Sequence, residues 1–120
     1  MFKIVIKPQW LIQGDEAEMR QALPRLLELL SLLHEDGNLA RACRQLNMSY
    51  RYAWGMIREG GELFGAPLVE TAKGQGTRLT KLGERLLWAE KRIHARLAPV
   101  LDSLATELEV EIQQALSRTE

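Results

Sequence analysis

The sequence has 120 residues, 46% hydrophobic and 27% charged, a composition that fits one globular domain with a short extension. Sixteen basic residues balance sixteen acidic ones, so the net charge of zero argues against an indiscriminate polyanion binder. One cysteine supports neither a disulfide framework nor a zinc set, and the opening MFKIVIKPQWLI is too short and broken for a signal peptide or membrane span, so a cytoplasmic setting without membrane contact is expected.

Phe2, Ile4 and Ile6 alternate with Lys3, Val5 and Lys7, which predicts a strand interrupted by Pro8. Trp10, Leu11 and Ile12 suggest a second strand ended by Gly14-Asp15, so residues 2–13 are expected to pair as a short N-terminal hairpin. From Ala22 to Glu35 the pattern turns helical, with Leu23, Leu26, Leu27, Leu30 and Leu33 on one stripe. Pro24 is tolerated in a first helical turn, so that helix is expected to begin there. Asp36-Gly37-Asn38 ends it and caps the next.

The segment Asn38–Ile57 reads as two helices joined by a tight turn. Leu39, Ala42, Cys43 and Leu46 share a face, which makes Cys43 a small core residue. Asn47 tolerates left-handed backbone angles, and Ser49 is a good N-cap for a second helix that opens Tyr50-Arg51-Tyr52 and turns Ala53 and Ile57 inward. Gly60-Gly61 weakens that helix, and Gly65-Ala66-Pro67 stops it near Phe64. Leu68–Thr71 and Thr77–Leu79 flank the glycine-bearing turn Lys73-Gly74-Gln75-Gly76 as a hairpin. Thr80 caps a long last helix with Leu82, Leu86, Leu87, Ala89 and Ile93 on its packing side, and Pro99 is expected to break or kink it. Beyond Pro99, Leu101, Leu104, Leu108, Ile112 and Leu116 recur at spacings of three and four.

A helix, a short turn, a helix led by basic and aromatic groups, then a hairpin is the order of a winged helix-turn-helix. From Arg41 to Arg92 ten basic residues face five acidic ones, a local charge of +5, while both flanks are net negative. A basic middle suits phosphate; its bland counterpart is an unevenly charged solvated surface.

The run Met48-Ser49-Tyr50-Arg51-Tyr52-Ala53-Trp54 resembles the N-terminal domain of ModE-type molybdate-responsive repressors, with Asn47 where that family has Gly. Pro67-Leu68-Val69-Glu70, the wing and Arg78-Leu79-Thr80-Lys81-Leu82-Gly83 extend the resemblance over roughly residues 22–95. LysR-type regulators share the winged layout, but the Tyr-Arg-Tyr-Ala-Trp run looks less like theirs. Two features depart from the ModE-type pattern. The wing Ala72–Thr77 is shorter and poorer in glycine, and 120 residues leave no room for an oxyanion-binding domain.

The resemblance implies DNA reading, and the residue types distribute the roles. Ser49 caps the second motif helix and can donate to a phosphate, or acts as a cap alone. Tyr50 and Arg51 occupy its first turn, where Arg51 suits guanine O6 and N7. Arg58, seven residues on, suits a phosphate, as Arg41 and Arg44 do on the other side. Trp54 lies on the DNA sugar edge or packs against the wing, and Tyr52 either joins the site or faces the first motif helix. Lys73, Gln75 and Arg78 belong to the wing as backbone positioners. Residues Leu97, Leu101, Leu104, Leu108 and Ile112 would form a dimer seam; the other possibility is that this tail folds onto its own chain.

The expected fold is thus mostly α with a small β component: a winged helix-turn-helix over residues 1–98, with motif helices about 38–64 and wing 68–79, then a dimerisation or linker helix over 99–120. The expected function is a bacterial-type transcriptional regulator reading double-stranded DNA as a homodimer on an inverted repeat. Its alternative is a winged-helix protein-interaction module. No catalytic residue, metal site, cofactor or effector site is expected within these residues, since His34 and His94 lack ligand-spaced partners.

Overall fold

The computed structural model describes residues 2–10 and 17–118. They form α1 (Ala17–Asp36), α2 (Leu39–Gln45), α3 (Tyr50–Phe64), β1 (Val69–Ala72), β2 (Gly76–Leu79) and α4 (Lys81–Arg118). Two compact units result: Trp10–Glu90, and Met1–Gln9 with Lys91–Glu120.

In the larger unit α1 packs against α2, α3 and β2. Leu23, Leu26, Leu27, Leu29, Leu30 and Leu33 are buried, joined by Leu39, Ala42, Cys43, Ala53, Met56, Ile57, Leu68 and Leu87. Each leucine removed from water contributes about 1.5–3 kcal/mol, so the α1 stripe is the largest single source of cohesion. Of the residues expected inward on the motif helices, Leu39, Ala42, Cys43, Ala53 and Ile57 are buried and Leu46 is half-buried.

The caps match the local chemistry. Asn38 Oδ1 accepts from Arg41 N at 2.9 Å to start α2, and Ser49 Oγ accepts from Tyr52 N at 3.0 Å to start α3. Asn47 takes φ 53 between them, and Gly65 ends α3 at φ 92. Thr80 joins the wing root to α4. Its hydroxyl donates to Pro67 O and accepts from Gly83 N, while its amide donates to Leu68 O. The wing is an antiparallel pair with Val69 opposite Leu79 and Ala72 opposite Gly76, as the sequence suggests to within a residue.

Three sequence expectations need correction. First, α1 begins at Ala17 and carries Pro24 in its interior. The helix-forming run before Pro24 outweighs the one ladder hydrogen bond that a proline removes. Second, α4 runs unbroken through Pro99. Long helical flanks absorb a local cost of about 3 kcal/mol. Third, residues 2–10 carry no strand, so the N-terminal half of the expected hairpin is absent; residues 11–13 lie outside the described residues. In the smaller unit the Ile4 amide donates to Glu109 Oε1 at 2.6 Å, so a helix side chain takes the hydrogen bond that a partner strand would have taken.

Candidate nucleic-acid interface

Local geometry sets α3 as the presenting element. Ala53, Met56, Ile57, Gly60 and Gly61 are buried, which leaves Arg51, Arg58, Glu59 and Glu62 exposed along the opposite side, with Gly55 half-buried between them. Gly60 and Gly61 read in the sequence as weak points, but they are packing points. A Cβ on Gly60 would stand 2.7 Å from Leu26 Cδ2 and 2.9 Å from Leu68 Cδ1, and one on Gly61 would stand 3.1 Å from Ala66 O. Without these two glycines α3 would not seat so closely on α1 and the β1 approach.

Ser49 is exposed, with its oxygen engaged as the cap. Tyr50, Arg51 and Tyr52 are all exposed in the first turn. Tyr52 therefore faces solvent and not α2. Trp54 is half-buried against the core, and its ring meets Tyr50 edge-to-face at 6.2 Å and 77°. Packing thus decides the position of Trp54, and Trp54 in turn braces Tyr50. Trp54, Ile57, Arg58, Gly61 and Glu62 form one wall of an open groove of about 610 Å³, with Gly65 to Val69 as the other wall. The groove puts α3 and the wing root side by side.

On the wing, Lys73 and Gln75 are exposed at the turn, and Arg78 is exposed on β2 directly opposite Glu70. The turn closes with Gln75 N donating to Ala72 O at 2.9 Å. Thr77 N donates to Gly37 O at 3.1 Å, so the wing is tied by backbone to the turn between α1 and α2. Gly76 permits this, since a Cβ there would stand 2.7 Å from Gly37 O.

Two arginines make contacts within the protein. Arg41 is ion-paired to Asp36 at 3.1 Å, so part of its charge is already answered within the protein. Arg25 was not singled out by sequence reasoning. Its Nη2 donates to Leu46 O at 2.7 Å and closes the end of α2, a contact 21 residues away that no local pattern signals. Arg44 is exposed. Cys43 is buried as expected; desolvation pushes its thiol pKa up, against a smaller lowering by Arg44. Among the described residues no group of three or more His, Cys, Asp or Glu could hold a metal ion, and no helix is long and apolar enough to cross a membrane.

In the smaller unit the expected seam residues fall on two adjoining faces of α4. Leu97, Leu104 and Leu108 are exposed together with Ile93 and Val100. Leu101 and Ile112 are half-buried on the face that carries buried Ala105 and Glu109, where the N-terminal segment bonds.

Comparison with known proteins bears directly on this arrangement. The model of the bacterial regulatory helix-turn-helix protein, lysR family, matches residues 24–84, which spans α1, both motif helices, the wing and the start of α4. The chain belongs to this family. Two molybdenum-named proteins are also similar to this chain in sequence. The molybdenum-pterin-binding protein MopB of Rhodobacter capsulatus is 32% identical over 92 residues, covering 73% of this chain and 34% of that protein. The molybdenum transport protein ModE of Azotobacter vinelandii is 29% identical over 86 residues, covering 68% and 32%. This lysR-family chain thus spans about a third of the length of the curated relatives it matches. Its fold is that of the CbnR DNA-binding domain solved with DNA, at TM-score 0.58 and 24% identity over 70% of this chain and 95% of that one. The BenM DNA-binding domain solved with benA site 1 DNA gives TM-score 0.56 and 15% identity over the same shares.

Proposed function

We propose that this lysR-family chain reads double-stranded DNA through α3 and its wing, as the DNA-binding part of a cytoplasmic, non-enzymatic transcriptional regulator. The observation that carries this is the outward row Arg51–Arg58 on a capped helix whose inward face is fully packed, in a family of helix-turn-helix regulators. Family membership favours it over the protein-interaction module.

Arg51 donates to a guanine edge in the major groove, a contact worth about 1–3 kcal/mol. Tyr50, braced on Trp54, offers an apolar ring to a thymine methyl. Arg58, Lys73 and Arg78 meet phosphates, with Gln75 and the free proton of Ser49 as neutral donors to the same strand. Arg41 contributes less than its charge suggests because Asp36 holds it. A second copy covers the exposed stripe Ile93, Leu97, Val100, Leu104 and Leu108, which gives a two-fold reader suited to an inverted repeat. No oxyanion site is assigned to these residues.

The test is selection of genomic DNA fragments by the purified protein at fixed, near-physiological salt, because phosphate contacts alone bind any duplex when salt is low. An enriched inverted repeat supports the reading. Folded protein that enriches nothing, or that enriches the same repeat equally well as Arg51→Ala, counts against α3 as the reading element.

A further inference from the structure

Among the glycines within helices, Gly60, Gly61 and Gly83 are each closely approached: a Cβ on Gly60 would crowd the Leu26 and Leu68 side chains, one on Gly61 the Ala66 carbonyl, and one on Gly83 the carbonyl of Leu68. Gly55 differs. A Cβ built on it meets nothing within 4 Å, and its φ lies outside the left-handed region that glycine serves. Neither conformation nor internal packing asks for glycine there, yet glycine in mid-helix destabilises the helix relative to alanine. An uncompensated glycine at the centre of a fifteen-residue helix calls for a reason outside the protein.

The surroundings indicate one. Gly55 follows Arg51 by four residues and precedes Arg58 by three, so it lies between the two outward cations on the same side of α3. Beyond them the face turns acidic at Glu59 and Glu62, which repels phosphate and confines a DNA approach to the N-terminal part of the helix. Between Ser49 and Phe64 there is no Asn or Gln, the residues that read adenine bidentately, so base reading falls to Arg51 and its neighbours. Arginine contacts to a base edge need N···O distances near 2.9 Å and fail beyond about 3.5 Å, so the depth at which the helix sits is decisive.

We propose that Gly55 is the close-approach point of α3 on DNA, a positioning residue whose bare backbone packs against a base-pair edge so that Arg51 reaches its base. This rests on the DNA reading proposed above. A methyl group at Gly55 would lift the helix by about 1 Å, enough to stretch the Arg51 contacts out of hydrogen-bonding range.

The experiment compares Gly55→Ala, Gly55→Leu and Arg51→Ala on a fragment enriched by the unaltered protein and on an unrelated duplex, with a melting curve for each variant. Gly55→Ala should melt about 2–6 °C higher, because alanine is the better helix former and nothing blocks its methyl. Its affinity for the enriched fragment should fall about tenfold or more, further for Gly55→Leu, while affinity for the unrelated duplex stays within about twofold, since that binding rests on phosphates. A lower melting temperature for Gly55→Ala would show that the protein itself fills the space, and the proposal fails. Full specific affinity in Gly55→Ala alongside a loss in Arg51→Ala overturns the role of Gly55 and leaves α3 as the reader. Full affinity in both overturns the placement of α3 and the proposal with it.

Discussion

Tyr50 and Trp54 are one helical turn apart, and the half-buried member fixes the exposed one. That order matters for recognition, because a tyrosine free to change rotamer would lose side-chain entropy on meeting a base. The proposed thymine contact can be isolated chemically. Deoxyuridine in place of thymine removes one methyl and nothing else, so scanning an enriched fragment with it should expose one position per half-site where affinity drops about three- to tenfold. The drop should vanish in Tyr50→Ala. If no thymine methyl matters to the unaltered protein, Tyr50 contacts backbone and not base. Cys43 shows a different residue-level effect. Burial favours its neutral thiol, so the folded chain holds that proton to higher pH than the unfolded chain does. The resulting stability is complete below the ordinary thiol value of 9.0 and erodes as pH rises past it, where only the unfolded thiol ionises. Urea titrations should therefore show the unaltered protein losing more stability between neutral and alkaline pH than Cys43→Ala does. Equal losses would mean that the thiol ionises alike in both states.

At the scale of elements, what could be read from the sequence was what local chemistry decides. Asn38, Ser49 and Thr80 each accept a backbone N–H three residues on, Asn47 takes the left-handed turn, and each sits in the position its side chain implies. The elements misread were those decided at a distance. Residues 2–6 alternate like a strand, but the Ile4 amide is bonded to a glutamate 105 residues away. Pro24 and Pro99 read as helix limits because proline costs a hydrogen bond, but the helices on either side continue and outweigh that cost. Gly60 was legible only as a liability, since its value lies in Leu26 and Leu68 approaching from other elements. Gly60→Ala should accordingly destabilise the fold by about 1–3 kcal/mol through overpacking, despite alanine's better helix propensity. A gain in stability on chemical denaturation would show that α1 and α3 have room to spare. The exposure of the candidate site was legible, for the first turn of α3 and the wing turn are both exposed as their polar residues imply. Arg25 was not, because it bonds a carbonyl 21 residues away, and Gly55 was not, because only the fold shows the open space at its Cβ position.

For the whole molecule, a net charge of zero conceals a basic middle between acidic flanks, so mean composition understates how the chain meets a polyanion. The stripe Ile93, Leu97, Val100, Leu104 and Leu108 on α4 is exposed, and the proposed second copy would cover it. Leu104→Lys places a charge in the middle of that stripe without touching the α4 face that holds Ala105 and Glu109. Light scattering should find it monomeric where the unaltered protein is a dimer, with helical content preserved by circular dichroism. A dimeric Leu104→Lys would assign the seam to another surface.

The spacing of Arg51 and Arg58 has a consequence for how much a protomer can know. Seven residues of helix span about 10 Å, and base pairs stack about 3.4 Å apart, so on the proposed DNA reading the stretch from Arg51 to its phosphate-binding partner Arg58 lies over at most about three of them. Three positions distinguish roughly 64 sequences, against the roughly 10⁶–10⁹ competing sites of a genome. A single reading head of this length is therefore nearly blind to address. In the proposed dimer, the discriminating information would reside in the distance and orientation between two heads, and in how readily the DNA between them bends.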